Sequence, residues 1–211
     1  MVRILSLTQI PKGKSARIFL IGGYPARVMR GGMLTSFYKE NYLKMSKLYM
    51  GIDVGGKGFI TTQKEGVFSH YSIADNDLYQ LSEIMAEIRK ENTEIVCVIE
   101  DVHSIFGSSA KATFNFGLCK GYLLGLLAAN RIPYHLIQPK EWQKEIWSNA
   151  DKVTRYKTDG GKMTDTKNTS INACKRIFPH LDLRKTPKCK NVDDNKVDSI
   201  LMSEYARRKN L

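Results

Sequence analysis

A run of five apolar residues at positions 95–99, with an acid on each side, is the feature that most constrains the fold. A strand that is apolar at every position is covered on both faces, which is typical of a central strand in a sheet with helices on both sides. We therefore predict a strand over 94–100. A long helix over 109–130 and a further strand over 133–137 follow it, which is the alternation of an α/β protein.

The segment before this strand predicts the rest of the sheet. Residues 48–53 indicate a first strand, and the glycines at 55, 56 and 58 indicate a tight turn after it. Two strands joined as a hairpin are expected over 59–63 and 67–72. An amphipathic helix is expected over 77–90, with Asp75 or Asn76 as its N-cap. The order predicts a mixed five-stranded sheet that contains an antiparallel hairpin.

The two flanking regions differ from this pattern. A basic N-terminal extension, residues 1–46, is predicted to be poorly ordered, because proline and glycine interrupt every periodic run. A short strand over 17–23 is conceivable there but has no obvious partner, and an artefact of the start codon or a targeting peptide would also explain the segment. In the predicted domain, 47–211, we expect a short helix from Pro139, a polar mobile loop over 149–165, and helices over 166–178 and 194–208.

Charge and cysteine content restrict the function classes. The formal net charge is +12, from 33 basic and 21 acidic residues, which fits a surface that meets nucleic acid. The four cysteines form no C-x-x-C pair, so a zinc finger is not expected. We expect the cysteines to be free thiols in a reducing cytoplasm. No run reaches the roughly 18 apolar residues of a membrane span, so no membrane contact is predicted.

Four acids stand where secondary structure ends or begins. Asp53 ends the first strand and Glu100 the central one, while Asp194 and Asp198 lie four apart at the start of the last helix. If the two strands are adjacent and parallel, their acids emerge side by side and the helix can bring the other two over them. Crowded carboxylates repel unless cations neutralise them. Their hard oxygen ligands suit Mg²⁺ or Mn²⁺, and two such ions about 4 Å apart can hydrolyse a phosphodiester.

Several motifs, taken together, resemble those of one nuclease family. They are Met-Gly-Ile-Asp-Val-Gly-Gly at 50–56, Glu-Asp-Val-His-Ser-Ile-Phe-Gly at 100–107, Ala-Thr-Phe-Asn-Phe-Gly at 112–117, Ile-Pro-Tyr-His-Leu-Ile-Gln-Pro-Lys-Glu-Trp at 132–142 and Asp-Asn-Lys-Val-Asp-Ser-Ile-Leu at 194–201. In this order, over residues 48–208, they are similar to RuvC-type Holliday-junction resolvases of phages and bacteria, which act in DNA recombination and repair. The resemblance implies an α/β, RNase H-like fold and a homodimer that cuts four-way or branched DNA with two Mg²⁺ ions per site.

The resemblance also assigns roles to residues. It makes Asp53, Glu100 and Asp198 catalytic metal ligands, with Asp194 as the fourth and Asp193 in reserve, because position 195 is Asn where the family often has an acid or histidine. His103 is expected to contact or stack on DNA near the junction centre. The candidate phosphate contacts are Lys111, Lys140, Lys144, Lys167, Arg184 and Lys185. An apolar stripe on the long helix, at 122, 123, 126 and 127, would serve as either dimer interface or core.

Other classes remain open at this point. The same carboxylates would serve an RNase H-like nuclease that acts on RNA–DNA hybrids or flaps. The glycines after Asp53 also resemble a first phosphate loop of the actin and sugar-kinase type, although the chain lacks a second such loop. A catalytically dead DNA-binding protein is a further alternative, which the retained acids disfavour. The expected location is the cytoplasm of a bacterium or of a phage-infected cell.

Overall fold

The computed structural model describes residues 19–21, 24–26, 46–101, 108–158 and 160–211. The chain divides into two units, Met1–Lys44 and Met45–Leu211. In the first unit, strand β1 (Phe19–Ile21) pairs antiparallel with β2 (Tyr24–Ala26), so the short strand predicted there has a partner only a few residues away. Most of the predicted extension 1–46 lies outside the described residues, and its poor order stays a prediction.

The second unit contains a mixed five-stranded sheet. Its strands are β3 (Leu48–Asp53), β4 (Phe59–Lys64), β5 (Val67–Ser72), β6 (Ile95–Glu100) and β7 (Tyr134–Ile137). They lie in the order β5-β4-β3-β6-β7. The first three are joined antiparallel as hairpins, whereas β6 runs parallel to both β3 and β7. The predicted mixed five-stranded sheet is confirmed, including its antiparallel hairpin and its central strand.

Five helices flank this sheet. They are α1 (Leu78–Glu91), α2 (Ala110–Ala129), α3 (Pro139–Ile146), α4 (Thr166–Ile177) and α5 (Asp194–Lys209). Alternate residues of β6 enter two separate cores, because side chains along a strand point to opposite faces. Cys97 and Ile99 pack with α1 and α2, while Val96 and Val98 pack with α3, α4 and α5. The continuous apolar run of this strand is therefore explained by helices on both faces.

Helix α5 lies directly on strand β3 at Gly51. A side chain on this glycine would collide with the backbone of Ser199 and Ser203 in the helix, so the close approach requires a residue without a Cβ. The hydroxyls of Ser199 and Thr61 are 2.6 Å apart, and Ser203 donates to the Gln63 side chain at 3.4 Å. These contacts fix the position of α5 along the sheet.

Two local predictions were wrong. The N-cap of α1 is Asp77 instead of Asp75 or Asn76, because its side chain accepts from the Gln80 backbone N–H and its own backbone N–H donates to the Gln80 side-chain oxygen, each at 2.9 Å. The loop expected over 149–165 contains a 3₁₀ turn at Asn149–Asp151 and a hairpin of β8 (Thr154–Tyr156) with β9 (Lys162–Thr164). Short polar strands of three residues carry too little periodicity to be recognised.

Helix α2 exposes most of its surface. Its buried residues are Cys119, Leu123 and Leu127, whereas Phe114 and Leu118 are 69% and 59% exposed. The stripe that the sequence left open as interface or core thus contributes its two buried leucines to the core. By length and composition alone, α2 is long and apolar enough to cross a membrane, with 17% of that stretch buried. A single such helix is weak evidence for a membrane protein.

Candidate active site

The parallel pairing of β3 with β6 brings the first two acids to one edge of the sheet. Ile52 stands opposite Ile99 in the register, so Asp53 and Glu100 are the next residues along two neighbouring strands. The turn after Asp53 returns tightly, and a side chain on Gly58 would collide with the Asp53 backbone. Both acids are partly buried. The predicted proximity of these two strand ends is confirmed.

The start of α5 carries the remaining acids of the site. Asp193 is the N-cap, and its carboxylate accepts from the amides of Asn195 and Lys196 at 3.1 Å each. Asp194 forms an ion pair with Lys167 of α4 at 2.5 Å. Asp193 is thus engaged in capping, and the assignment of Asp194 as the fourth ligand stays a prediction.

The electrostatics place these acids in one cluster with Asp53 at its centre. Burial raises the pKa of Asp53 well above its ordinary value, and repulsion from Asp198, Glu100, Asp194 and Asp193, in that order, raises it further. A carboxylate among like charges favours the protonated form unless a cation compensates it. The site therefore has a strong electrostatic demand for positive charge.

Asp198 is the least satisfied acid of the cluster. Burial raises its pKa to about 7, and the charges of Glu100 and Asp194 add to this, against the opposing hydrogen bond from Ser170 and the charge of Lys167. Its Oδ1 atom is buried and has no hydrogen-bond partner in the described part of the chain. A buried carboxylate oxygen without a donor is costly, so this atom is a candidate ligand for a cation.

Glu100 is positioned by a residue that the sequence did not assign to the site. Trp142 is fully buried on α3, and its indole Nε1 donates to Glu100 Oε1 at 3.0 Å. Burial raises the pKa of Glu100, while this hydrogen bond lowers it. From the sequence, Trp142 was expected in the core, and its distance of 42 residues from Glu100 gave no signal of the contact. Ser170 was missed for the same reason.

The candidate phosphate-binding residues differ in their exposure and in their ion-pair partners. Lys111, Lys140 and Lys144 are exposed. Lys167 is paired with Asp194, although 72% of its side chain is exposed, and it is thus the candidate nearest the acids. Arg184 pairs with Asp182, and Lys185 with Asp75. His103 lies outside the described residues. The binding roles of all seven residues stay predictions.

A contrasting buried acid lies further along α5. Glu204 has 2% of its side chain exposed and accepts from Arg207 Nε at 2.7 Å and Arg208 Nε at 2.9 Å. Burial raises the pKa of Glu204, but the hydrogen bonds and charges of these arginines outweigh it, so the pKa is lowered overall. It borders a cavity of about 560 Å³ near the start of β3, which Lys47 and Tyr49 also line. This acid is neutralised by the protein itself.

The donor set fits a hard divalent cation. All four members are carboxylates, which magnesium and manganese prefer, and the orphaned oxygen of Asp198 lies among them. Within the described ranges, however, no three His, Cys, Asp or Glu side chains already stand close enough together to form a metal cluster. Holding an ion would therefore require the carboxylates to draw closer together, and the charge of the ion would offset their mutual repulsion.

Comparison with known proteins gives structural neighbours alone. No protein-family model matches the sequence, and no curated protein does. Among solved structures, RuvC of Thermus thermophilus in complex with a Holliday-junction substrate is similar, with 9% identity and a TM-score of 0.47 over 77% of this chain and 96% of that chain. Another RuvC structure from the same organism has 11% identity and a TM-score of 0.44, with the same coverage. The fold is therefore defined by the strand order of this protein, and no activity follows from these similarities.

Proposed function

We propose that this protein is a metal-dependent endonuclease that cuts four-way or branched DNA. The observation that carries the proposal is the buried, unpartnered Oδ1 of Asp198 within a cluster of carboxylates at the edge of two parallel strands. A buried oxygen without a donor lowers the stability of the fold, so its presence indicates a functional role such as cation binding. The motifs that resemble RuvC-type resolvases support DNA junctions as the substrate.

Asp53, Glu100, Asp194 and Asp198 would hold the cations. Two bound Mg²⁺ ions would supply an activated water and stabilise the leaving oxygen of the phosphodiester. The protein's own contribution is orientation, since Trp142 fixes Glu100 and Ser170 contacts Asp198. Lys167 reaches the site from α4 with an exposed side chain, so it is suited to bind a phosphate that approaches the acids.

Paired cuts across a symmetric junction require two active sites related by a two-fold axis, so we further propose a homodimer. The exposed face of α2 supports a second copy of this chain as the partner. Phe114, Leu118, Gly121 and Gly125 follow one another at helical spacing, and a Cβ at either glycine would have no neighbour within 4 Å. An apolar face with small residues allows a second helix to approach closely.

The test is cleavage of labelled substrates with Mg²⁺ or EDTA. A synthetic four-way junction is compared at equal salt with linear duplex and RNA–DNA hybrid, beside an Asp53→Asn protein. Paired symmetric nicks that require both Mg²⁺ and Asp53 are expected on the junction. Cleavage of the RNA–DNA hybrid but not of the junction would support the proposed active site and refute the junction as its substrate. Absence of cleavage of every substrate would refute the proposal that the protein is a nuclease.

The dimer has a separate test. Sedimentation should give a dimer for the wild type and a monomer for the double variant Phe114→Glu, Leu118→Glu, because charge on this face opposes close packing. The variant should then leave single nicks where the wild type makes pairs. A wild-type monomer at the concentrations used for cleavage would contradict the homodimer.

A further inference from the structure

The β8–β9 hairpin combines positive charge with an exposed aromatic ring. Residues 152–164 contain four basic side chains and one acidic one. All three residues of β8 are exposed, and so are both ends of β9. The hairpin contributes no residue to either hydrophobic core, so its composition is not explained by packing.

Tyr156 is the prominent residue of this hairpin. Its side chain is 69% exposed, and it stands directly opposite Lys162 in the register. The Lys162 ammonium lies 6.0 Å from the centre of the tyrosine ring, within the range of a cation–π contact. This contact favours one orientation of the ring, while most of the ring surface remains accessible. A ring held in this way loses little further conformational entropy when a ligand stacks on it.

The base of the hairpin is anchored to the helix that touches the acids. Val153 donates its amide to Thr169 Oγ1 at 3.1 Å and accepts from the Asp165 amide at 2.8 Å. Asp165 is the N-cap of α4, where its side chain accepts from the Asn168 amide. The next residues of α4 include Lys167, which pairs with Asp194. The hairpin is therefore fixed in relation to the carboxylates.

We propose that the hairpin binds a DNA strand near the active site, with Tyr156 stacking on an unpaired base at the branch point. This inference rests on the proposed function and names the feature of the substrate that is recognised. Lys167 is three positions after the end of β9, so at most about 10 Å of chain lies between them. Arg155, Lys157 and Lys162 would contact phosphates of the same strand. An unpaired base offers its π face to an aromatic ring, and a base in a duplex does not.

The experiment measures binding without cleavage. Full-length protein in EDTA is titrated into a four-way junction that carries a fluorescent adenine analogue at the branch point, and in parallel into linear duplex of the same sequence. Tyr156→Ala is expected to weaken junction binding by about 5- to 150-fold and to remove the quenching of the analogue. Tyr156→Phe should retain both, because its ring stacks equally well.

Tyr79 provides the matched control. It is 84% exposed on α1, so Tyr79→Ala removes an equally accessible ring and should leave junction binding unchanged. If Tyr156→Ala binds the junction as tightly as the wild type, or loses as much affinity for linear duplex as for the junction, the stacking proposal is overturned. The proposed nuclease activity is not affected by either result. A wild type whose junction binding depends on Tyr156, but which cuts nothing in Mg²⁺ or Mn²⁺, would overturn the nuclease and leave the inference. A wild type that binds no DNA would overturn both.

Discussion

Two acids on helix α5, the partly buried Asp198 and the buried Glu204, have opposite surroundings. Glu204 lies between Arg207 and Arg208, and its pKa is lowered. Asp198, six residues earlier, lies among other acids with one oxygen unpartnered, and its pKa is raised to about 7. Desolvation acts on both, so the difference comes from the neighbours that the sequence supplies. The comparison teaches that one helix can hold one acid whose charge the protein compensates and another whose charge it leaves uncompensated.

The largest expected effect is on cleavage, at the uncompensated acid. Asp198→Asn should lower junction cleavage by roughly a thousandfold, because a lost metal ligand removes several kcal/mol of transition-state stabilisation. Its free energy of unfolding in EDTA should be equal to or higher than that of the wild type, since repulsion is relieved. Single-turnover cleavage and urea denaturation measure the two quantities. A large loss of stability would assign Asp198 a structural role like that of Glu204.

The pH dependence of stability sharpens the same contrast. Between the ordinary Asp pKa of 3.8 and about 7, the folded protein retains a proton on Asp198 that the unfolded chain has released. The stability of the metal-free protein should therefore fall as pH rises through this window, by up to about 1.4 kcal/mol per pH unit for this group. Urea denaturation in EDTA from pH 4 to 8 measures the slope, and Asp198→Asn should reduce it. An unchanged slope in this variant would contradict the assignment.

Removal of the compensated acid should affect stability first. Glu204→Gln is expected to lower the free energy of unfolding by about 2–3 kcal/mol, because the amide oxygen can accept from only one of Arg207 and Arg208 and the amide NH₂ group faces the other. Cleavage per folded molecule should stay near the wild-type value. Thermal unfolding and an active-site titration give the two readings. If Glu204→Gln lost cleavage a thousandfold while its stability stayed at the wild-type value, Glu204 and Asp198 could not be assigned different roles.

Gly51→Ala perturbs the support that both acids share. The added methyl group would collide with the α5 backbone, so we expect a loss of about 1–3 kcal/mol of stability together with reduced cleavage. Gly56→Ala is the control, because a Cβ there would meet nothing within 4 Å. Equal behaviour of the two variants in denaturation would show that α5 is not held closely against β3.

The smallest effect is expected at Trp142. Trp142→Phe removes the hydrogen bond to Glu100 and keeps an aromatic ring in the core, so cleavage should fall by about tenfold. Replacing the acid's partner should also raise the pKa of Glu100 further and shift the pH profile of cleavage upward. The pH profile is the decisive measurement, since a purely structural defect would lower the rate without moving the profile.

The parts of the site that depend on strand order could be predicted from the sequence. Asp53 and Glu100 each follow a buried strand, and adjacent parallel strands bring their carboxyl ends together. The position of α5 also followed the pattern of the chain, with its acids at the predicted end. Such features depend on apolar periodicity, which a single sequence displays.

Contacts between distant side chains could not be predicted in this way. Trp142 and Ser170 approach the acids because α3 and α4 pack beside α5, and no local pattern records that packing. Tyr156 was missed for another reason, since strands of three exposed residues have no apolar face to reveal them. Hydrogen bonding of the hairpin and of its anchor to Thr169 determines its shape, and composition alone indicated a loop.

The close seating of α5 on β3 also bears on when the protein becomes active. Ser199 meets Thr61 across 138 residues of sequence, so this docking closes one of the longest loops in the fold and is expected late in folding. A chain that has formed its sheet but has not yet docked this helix holds Asp53 and Glu100 without Asp198. For the proposed nuclease, incompletely folded molecules would then be unable to cut, so the capacity to damage DNA would depend on completion of the native state.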